Sequence, residues 1–162
     1  MDALTEAMFW FSSVWILPFW IMMWFMPRHE VTKRFVGDLR WSLVPLLIPY
    51  AIVGLPHAPD ILFTFASQMP TPESVVALFA EDDVVVLGWL HFLAFDLFLG
   101  RYIWLRMVAM NRPLYVSTPV LILCTMMAPL GVLVGLIATR GLNESQTFAF
   151  HDIEMSELDS TA

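Results

Sequence analysis

The sequence predicts an all-α integral membrane protein, specifically a bundle of four transmembrane helices. Of its 162 residues, 59% are hydrophobic and only 14% are charged, and the mean hydropathy is +0.71. Soluble domains carry roughly a quarter charged residues, so this charge deficit indicates a membrane protein. The chain has 8 Lys and Arg residues against 15 Asp and Glu residues and a net charge of −7. That balance excludes a nucleic-acid binder, because no basic surface is available for phosphates.

Four apolar stretches define the predicted spans, because crossing the hydrocarbon core takes about 20 apolar residues. The first stretch follows Asp2 and Glu6, which do not form the basic flank of a secretory signal. The second stretch is short and contains Pro45 and Pro49, which predicts a kinked or tilted helix. The fourth is long, uncharged and interrupted by two prolines. The expected spans are residues 7–27, 41–59, 84–105 and 114–139.

The basic residues predict the orientation of these spans. Six of the 8 Lys and Arg residues lie in the connections after the first and third spans, whereas the connection between the second and third spans has acidic residues and no Lys or Arg. Under the positive-inside rule the basic connections are cytoplasmic, and both termini lie on the non-cytoplasmic side. In the acidic connection, Thr71 followed by Pro72 is typical of a helix start, which predicts a short amphipathic helix at the interface. Residues 1–140 are the membrane domain, and residues 141–162 are an acidic tail.

Three ionisable residues inside the third span are the candidates for chemistry: His91, Asp96 and Arg101. Ionisable groups within a membrane are costly and therefore indicate function by default. Successive members lie about 140° apart around the helix axis, so their partners must come from other helices, water or a ligand. Asp96 lies near the midplane, where a carboxyl group is expected to be neutral and able to donate a proton. Asp96 and His91 are the candidate catalytic residues.

Aromatic side chains accompany these groups along the same helix. Trp89 and Phe92 share the face of Asp96, whereas the strip from His91 to Tyr102 suits a flat apolar ligand. The candidate pigment or lipid contacts are His91, Phe95, Phe98, Tyr102, Trp89 and Arg101. The structural alternatives are interhelical hydrogen bonds at the two titratable groups, an interfacial anchor at the arginine and ordinary helix packing of the aromatic rings.

Partner contacts and cofactors are less strongly indicated. Gly131, Gly135 and Thr139 form a small-residue ridge that suits close packing, either within the chain or with another membrane subunit. The acidic tail is a second candidate contact with such a subunit, beside the lipid bilayer itself. The histidines are scattered, Cys124 is the single cysteine, and no glycine-rich nucleotide motif is present. The sequence therefore predicts no metal site and no certain cofactor.

One block of the third span resembles a known family. The residues are Gly88-Trp89-x-His91-x-x-x-Phe95-Asp96-Leu97-x-x-Gly100-Arg101. They are similar to the core of the abscisic-acid-deficient-four-like membrane proteins. Two further pieces fit the same pattern, Leu17-Pro18-x-Trp20 and Ala128-Pro129-Leu130-Gly131. The resemblance extends over most of residues 10–140. It implies a four-span membrane protein, and the plant member is required for neoxanthin formation from an epoxy-xanthophyll.

Carried over to this chain, the resemblance implies a carotenoid-related membrane factor. Opening an epoxide to an allenic alcohol needs an acid and a base, for which Asp96 and His91 are the candidates, with the aromatic strip cradling the polyene. A second hypothesis is a non-catalytic accessory or scaffold subunit of a photosynthetic complex that binds carotenoid or chlorophyll. A third is a proton or cation pathway through Asp96. The expected location is a bacterial inner or photosynthetic membrane or a plastid membrane, and whether the protein is an enzyme stays open.

Overall fold

The computed structural model describes residues 2–67, 69, 71–143, 145–147, 149, 152 and 156. Within this part of the chain every regular element is helical, which confirms the predicted all-α class. The helices are α1 (Ala3–Trp15), α2 (Leu17–Phe25), α3 (Glu30–Gly37), α4 (Leu39–Ser42), α5 (Val44–Ser67), α6 (Pro72–Leu78), α7 (Asp82–Ala109), α8 (Leu114–Met126) and α9 (Ala128–Ala138). By length and composition, 3 stretches of the described chain can cross a membrane: Ala3–Phe25, Val44–Ser67 and Asp82–Ala109.

The first of these stretches consists of α1 and α2, which are separated only by Ile16. The helix starts earlier than predicted because the Asp2 carboxylate accepts a hydrogen bond from the backbone N–H of Thr5 at 2.7 Å. This bond satisfies one of the free donors of a helix start. The interruption at Ile16 precedes Pro18, which has no N–H to donate to the preceding turn.

Buried donors fix the corner between α2 and α5. The Trp104 indole N–H donates to the carbonyl of Pro27 at 2.9 Å, and the Thr32 hydroxyl donates to that of Met26 at 2.6 Å. The Arg101 guanidinium donates to the carbonyls of Val36 and Gly37, in the last turn of α3. Trp104 and Arg101, both nearly shielded from solvent, therefore tie this corner to the central helix α7, and the Thr32 bond holds the corner together internally.

The second span is longer than predicted. The predicted span covers residues 41–59, whereas α5 continues through Pro56 and Pro59 to Ser67. A proline removes one intrahelical hydrogen bond but need not end a helix that packs against neighbours. Here α5 packs along α7 and α1. The extra turns contain Asp60 but are mainly apolar, and by length and composition the whole helix can span a membrane despite its prolines.

The predicted short helix in the acidic connection is present as α6. The Thr71 hydroxyl accepts from the Ser74 backbone N–H at 3.2 Å, and the Ser74 hydroxyl accepts from the Thr71 N–H at 2.9 Å. This reciprocal pair is a capping box, and Pro72 occupies the first turn as expected. The ring of Phe79, at the end of α6, lies against Gly88 of α7. The connection is therefore packed onto the central helix.

Helix α7 occupies the centre of the molecule and contacts α1, α5, α8 and α9. It begins two residues before the predicted span and ends four residues after it. Gly100 lets the buried indole of Trp20 approach the helix backbone, because a side chain at this position would collide with that ring. The main hydrophobic core forms here, and its members on α7 include Ala94, Leu97, Ile103, Trp104 and Met107.

The predicted single helix over residues 114–139 is wrong. This segment forms α8 and α9, of 13 and 11 residues, which are separated at Met127 with φ −150° and ψ 76°. A Cβ added at Gly131 would lie 2.6 Å from the Sγ of Cys124. In one continuous helix these two residues would be about 10 Å apart along the axis. The two helices therefore fold back on each other as a close-packed hairpin, here called the α8–α9 hairpin.

Both ends of the α8–α9 hairpin lie beside the same end of α7. Just before α8, the backbone N–H of Arg112 donates to Met107 at 2.9 Å. Just after α9, the Arg106 Nε donates to the hydroxyl of Thr139 at 2.9 Å, and its Nη2 donates to the carbonyl of the same residue at 3.1 Å. Helix α8, about 20 Å long, leaves this end of the bundle and α9 returns to it. Hydropathy could not reveal this reversal, because an apolar segment that crosses and one that turns back have the same composition.

Candidate functional site

The candidate site is a cavity of about 450 Å³ between α7 and the tip of the α8–α9 hairpin. Its walls come from Trp89, Phe92, Leu93 and Asp96 of α7 and from Thr125, Met126, Met127, Ala128 and Pro129 at the tip. Asp96 lies 14 residues after Asp82 and 13 before Ala109, so it is about 20 Å from either end of α7. The cavity therefore lies at the middle of the longest candidate span, in the size range of small-molecule pockets.

Asp96 is the one ionisable side chain in the cavity wall. It is half-buried, and no hydrogen bond or ion pair to it is present among the described residues. The remaining lining is mostly aromatic, aliphatic and thioether. A carboxyl group in such surroundings is suited to exchange a proton or a hydrogen bond with a ligand, because no protein group competes for it.

The hairpin tip adds backbone polarity to this cavity. Helix α9 begins without a side-chain cap at Met127, and Pro129 in its first turn has no N–H. The first N–H groups of a helix and the last carbonyls of the preceding one have no intrahelical partners. Irregular backbone at membrane depth is tolerated only where protein buries it or where it lines a cavity. The tip therefore brings a helix end without a side-chain cap to the wall of the cavity.

Trp89 and Phe92 form the aromatic side of the cavity, on the face of α7 expected from helical periodicity. The Trp89 indole N–H donates to the Ser13 hydroxyl of α1 at 3.1 Å. Its ring also lies 5.9 Å from that of Phe9, centroid to centroid. These contacts hold the indole in place, so it presents a fixed flat surface to the cavity that contains Asp96.

His91 lies elsewhere. Its ring stacks on Phe95 at a centroid distance of 4.4 Å and lies 5.8 Å from Tyr50 of α5. Phe95 and Phe98 line a separate, wholly apolar groove of about 240 Å³ together with Leu43, Leu47 and Ala94. The structure thus brings His91 and its aromatic neighbours to the α5 side of α7. It does not bring His91 into the cavity of Asp96, so the two candidate catalytic residues do not share a ligand site.

Arg101 and Tyr102 are outside both cavities. Arg101 is 8% exposed and holds the carbonyls at the end of α3, so it is a packing residue rather than a snorkelling anchor. The Tyr102 hydroxyl accepts a hydrogen bond from Arg106 at 3.3 Å, and its ring lies under that guanidinium. Neither residue lines the cavity beside Asp96 or the groove beside Phe95 and Phe98.

The small-residue ridge is used within the chain. Gly131 packs on Cys124 of α8, and a Cβ at Gly135 would lie 2.7 Å from Ile103 of α7. Thr139 is buried and accepts from Arg106. The ridge therefore packs against α7 and α8 within the chain, which is one of the two alternatives expected from the sequence. Most of the acidic tail, the other expected subunit contact, lies outside the described residues.

No metal-binding group of His, Cys, Asp or Glu side chains occurs in the described part of the chain.

The cavity lining also includes residues that the sequence analysis did not predict, namely Thr125–Pro129. When residues 114–139 are taken as one continuous helix, these residues lie in its middle and nothing brings them to Asp96. The available signal was Pro129 close to the middle of the segment, together with Gly131, since a proline and a glycine near each other favour a helix break.

Comparison with known proteins adds one family and one relative. A model of the ABA4-like family, described as ABA DEFICIENT 4-like, matches residues 7–134. The chain is 24% identical over 112 residues to the "Protein ABA DEFICIENT 4, chloroplastic" of Arabidopsis thaliana, a stretch that is 62% of this chain and 47% of that protein. The chain thus spans about half the length of the curated relative it matches. No solved structure matches the chain.

Proposed function

Because the chain belongs to the ABA4-like family, we propose that it binds an epoxy-xanthophyll at the Asp96 cavity and isomerises it by acid–base chemistry. One observation carries the proposal: a half-buried carboxyl group faces an apolar and aromatic cavity at mid-depth of α7. The family's connection with neoxanthin formation supplies the substrate class. A xanthophyll dissolves in the bilayer, so it reaches a cavity at this depth from the lipid.

The reaction can be written with a single carboxyl group. The Asp96 acid donates its proton to the epoxide oxygen while the carbon–oxygen bond breaks. The resulting carboxylate then takes a proton from a neighbouring carbon, and the electrons of that C–H bond form the new double bond. Protons balance, nothing is oxidised or reduced, and the carboxyl group returns to its starting state. His91 takes no part in this mechanism, because it lies on the α5 side of α7.

The non-catalytic alternative is supported by a different surface. The stacked pair His91–Phe95 is exposed beside an apolar groove on the α5 side of α7. A carotenoid or chlorophyll lying along that groove would contact aromatic rings without meeting an acid. In this case the protein would act as a pigment-binding accessory subunit of a larger membrane complex.

Purified protein in lipid vesicles separates these functions. An epoxy-xanthophyll is added, and pigments are extracted and resolved by chromatography over time. Formation of the allenic isomer supports the enzyme. Pigment that is retained by the protein but stays unchanged supports the accessory subunit. Movement of protons or cations across the vesicle wall, with neither result, would instead support a conduction pathway through Asp96.

The same contacts lead to a proposal for the membrane topology. Ala3–Phe25, Val44–Ser67 and Asp82–Ala109 cross the bilayer, and the α8–α9 hairpin enters to mid-depth and leaves on the side it came from. Its support is the position of Thr139 and Arg112 beside the end of α7. The C-terminal tail then lies on the side of the basic connections, opposite to the N terminus.

Single-cysteine labelling tests this topology. In a Cys124→Ala background, cysteines are placed at three exposed positions: Arg34 in the basic connection, Glu73 in the acidic connection and Ser145 after the hairpin. A membrane-impermeant thiol reagent is applied to sealed vesicles of one orientation. We expect position 145 to react on the same side as position 34. Reaction of position 145 on the side of position 73 would instead indicate a fourth complete span.

A further inference from the structure

The polar inventory of the Asp96 cavity specifies which ligand groups it can accept. Three lining side chains carry a nitrogen or a side-chain oxygen: Trp89, Asp96 and Thr125. The Trp89 N–H is already donated to Ser13 at 3.1 Å. The Thr125 hydroxyl hydrogen is donated to the carbonyl of Leu121 at 2.9 Å, one turn earlier in α8. The Thr125 oxygen can therefore accept a further hydrogen bond but has no hydrogen left to give.

The two groups still available to a ligand therefore differ: the Asp96 carboxyl group can donate a hydrogen bond, whereas the Thr125 oxygen can only accept one. A protonated carboxyl group at Asp96 can donate to an epoxide oxygen, which has lone pairs and no hydrogen. The Thr125 oxygen cannot form a hydrogen bond with an epoxide or a hydrocarbon, because neither has an O–H or N–H to donate. It is complementary to a hydroxyl group, and a hydroxyl that enters an apolar cavity without a partner loses binding energy.

We propose that Thr125 is a specificity-determining residue that accepts a hydrogen bond from a ring hydroxyl of the ligand and so selects hydroxylated carotenoids over hydrocarbon ones. The inference rests on the proposed function, since it assumes a carotenoid in the Asp96 cavity. It assigns the two polar groups to two different oxygens of one ring end, the epoxide oxygen at Asp96 and the hydroxyl at Thr125. The polyene then extends away from the hairpin tip.

A helical threonine also makes this kind of bond to the preceding turn without any ligand. The test must therefore respond to the ligand's hydroxyl group rather than to the fold. Thr125→Val keeps the shape of the side chain and removes the oxygen. Thr125→Ser keeps the hydroxyl and is the matched control. Leu121 loses no backbone partner in either variant, because its carbonyl belongs to the helix ladder.

Binding is measured with two ligands that share one skeleton, a dihydroxy-carotene and its parent hydrocarbon carotene, by fluorescence quenching of the protein's tryptophans in vesicles. Neither carries an epoxide, so turnover does not interfere. We expect wild type and Thr125→Ser to bind the dihydroxy ligand more tightly than the hydrocarbon. We expect Thr125→Val to lose about fivefold in affinity for the dihydroxy ligand alone, the effect of one neutral hydrogen bond.

The inference is overturned, and the proposed function stands, if wild type binds both ligands with equal affinity or if Thr125→Val keeps the wild-type preference. A uniform loss of affinity for both ligands in Thr125→Val also overturns it, because that result indicates a change of shape. Failure of wild type to bind either carotene also overturns the inference, and the conversion assay with the epoxy-xanthophyll then decides the proposed function separately. Circular dichroism of each variant checks that the helices are retained.

Discussion

The Asp96→Asn variant is expected to bind an epoxy-xanthophyll about as well as wild type and to convert it at least 100-fold more slowly, a loss of about the size contributed by general acid–base catalysis. Asparagine has nearly the same shape and can still donate a hydrogen bond to the ligand, but it cannot transfer a proton and take it back. The cavity should therefore fill normally while the reaction stops. Parallel measurement of pigment retention and of isomer formation separates the two effects.

His91→Gln is the matched control for this variant, because His91 lies in the same helix and outside the cavity. Its turnover should stay close to that of wild type. Normal conversion by Asp96→Asn would exclude Asp96 as the acid. Loss of conversion in His91→Gln alone would place the chemistry on the α5 side of α7, in the groove beside Phe95 and Phe98.

Gly131→Leu is expected to separate the two helices of the α8–α9 hairpin. At this position even a Cβ would meet the backbone of Cys124, which cannot move as a flexible side chain can. Overpacking of a well-packed core costs typically 1–3 kcal/mol, and contact with backbone places this variant at the upper end, about 3 kcal/mol. For a chain of this length that corresponds to a fall in melting temperature of about 10 °C.

Thermal unfolding in detergent measures this effect, followed by tryptophan fluorescence. Leu133→Ala, at an exposed position of the same helix, is the control and should unfold near the wild-type temperature. Because the hairpin tip forms one wall of the Asp96 cavity, Gly131→Leu should also lose xanthophyll binding. A variant as stable and as active as wild type would show that α8 and α9 are not packed together at Gly131.

Much of the candidate site follows from local sequence. The interval between Trp89, Phe92 and Asp96 places them on one face of a helix, and they do line one cavity. The same arithmetic places His91 about 140° away from Asp96 around the helix, and the structure has the two side chains on different faces of α7. The start of α6 at Pro72 was also predictable, because its cap is formed by residues three positions apart.

The second wall of the cavity was not predictable in this way. It depends on contacts between residues far apart in sequence, such as Arg106 with Thr139 and Gly135 with Ile103. Arg101 illustrates the same limit, because its partners lie 65 and 64 residues earlier in the chain. Helical periodicity predicts which residues share a face of one helix. It does not predict which carbonyl or glycine of a distant segment a side chain contacts.

The amino-acid sequence alone determined that this is a helical membrane protein with a carboxyl group halfway along one span, because apolar length and helical periodicity are local properties of the chain. Only the tertiary structure decided that the last apolar segment turns back at Met127 and brings Thr125 and the hairpin tip to Asp96. The physical reason is that the hydrophobic effect is not directional, so it favours burial of an apolar segment equally whether the segment continues straight or folds back. Close packing at Gly131 and the hydrogen bonds of Arg106 select the reversed path over a straight one.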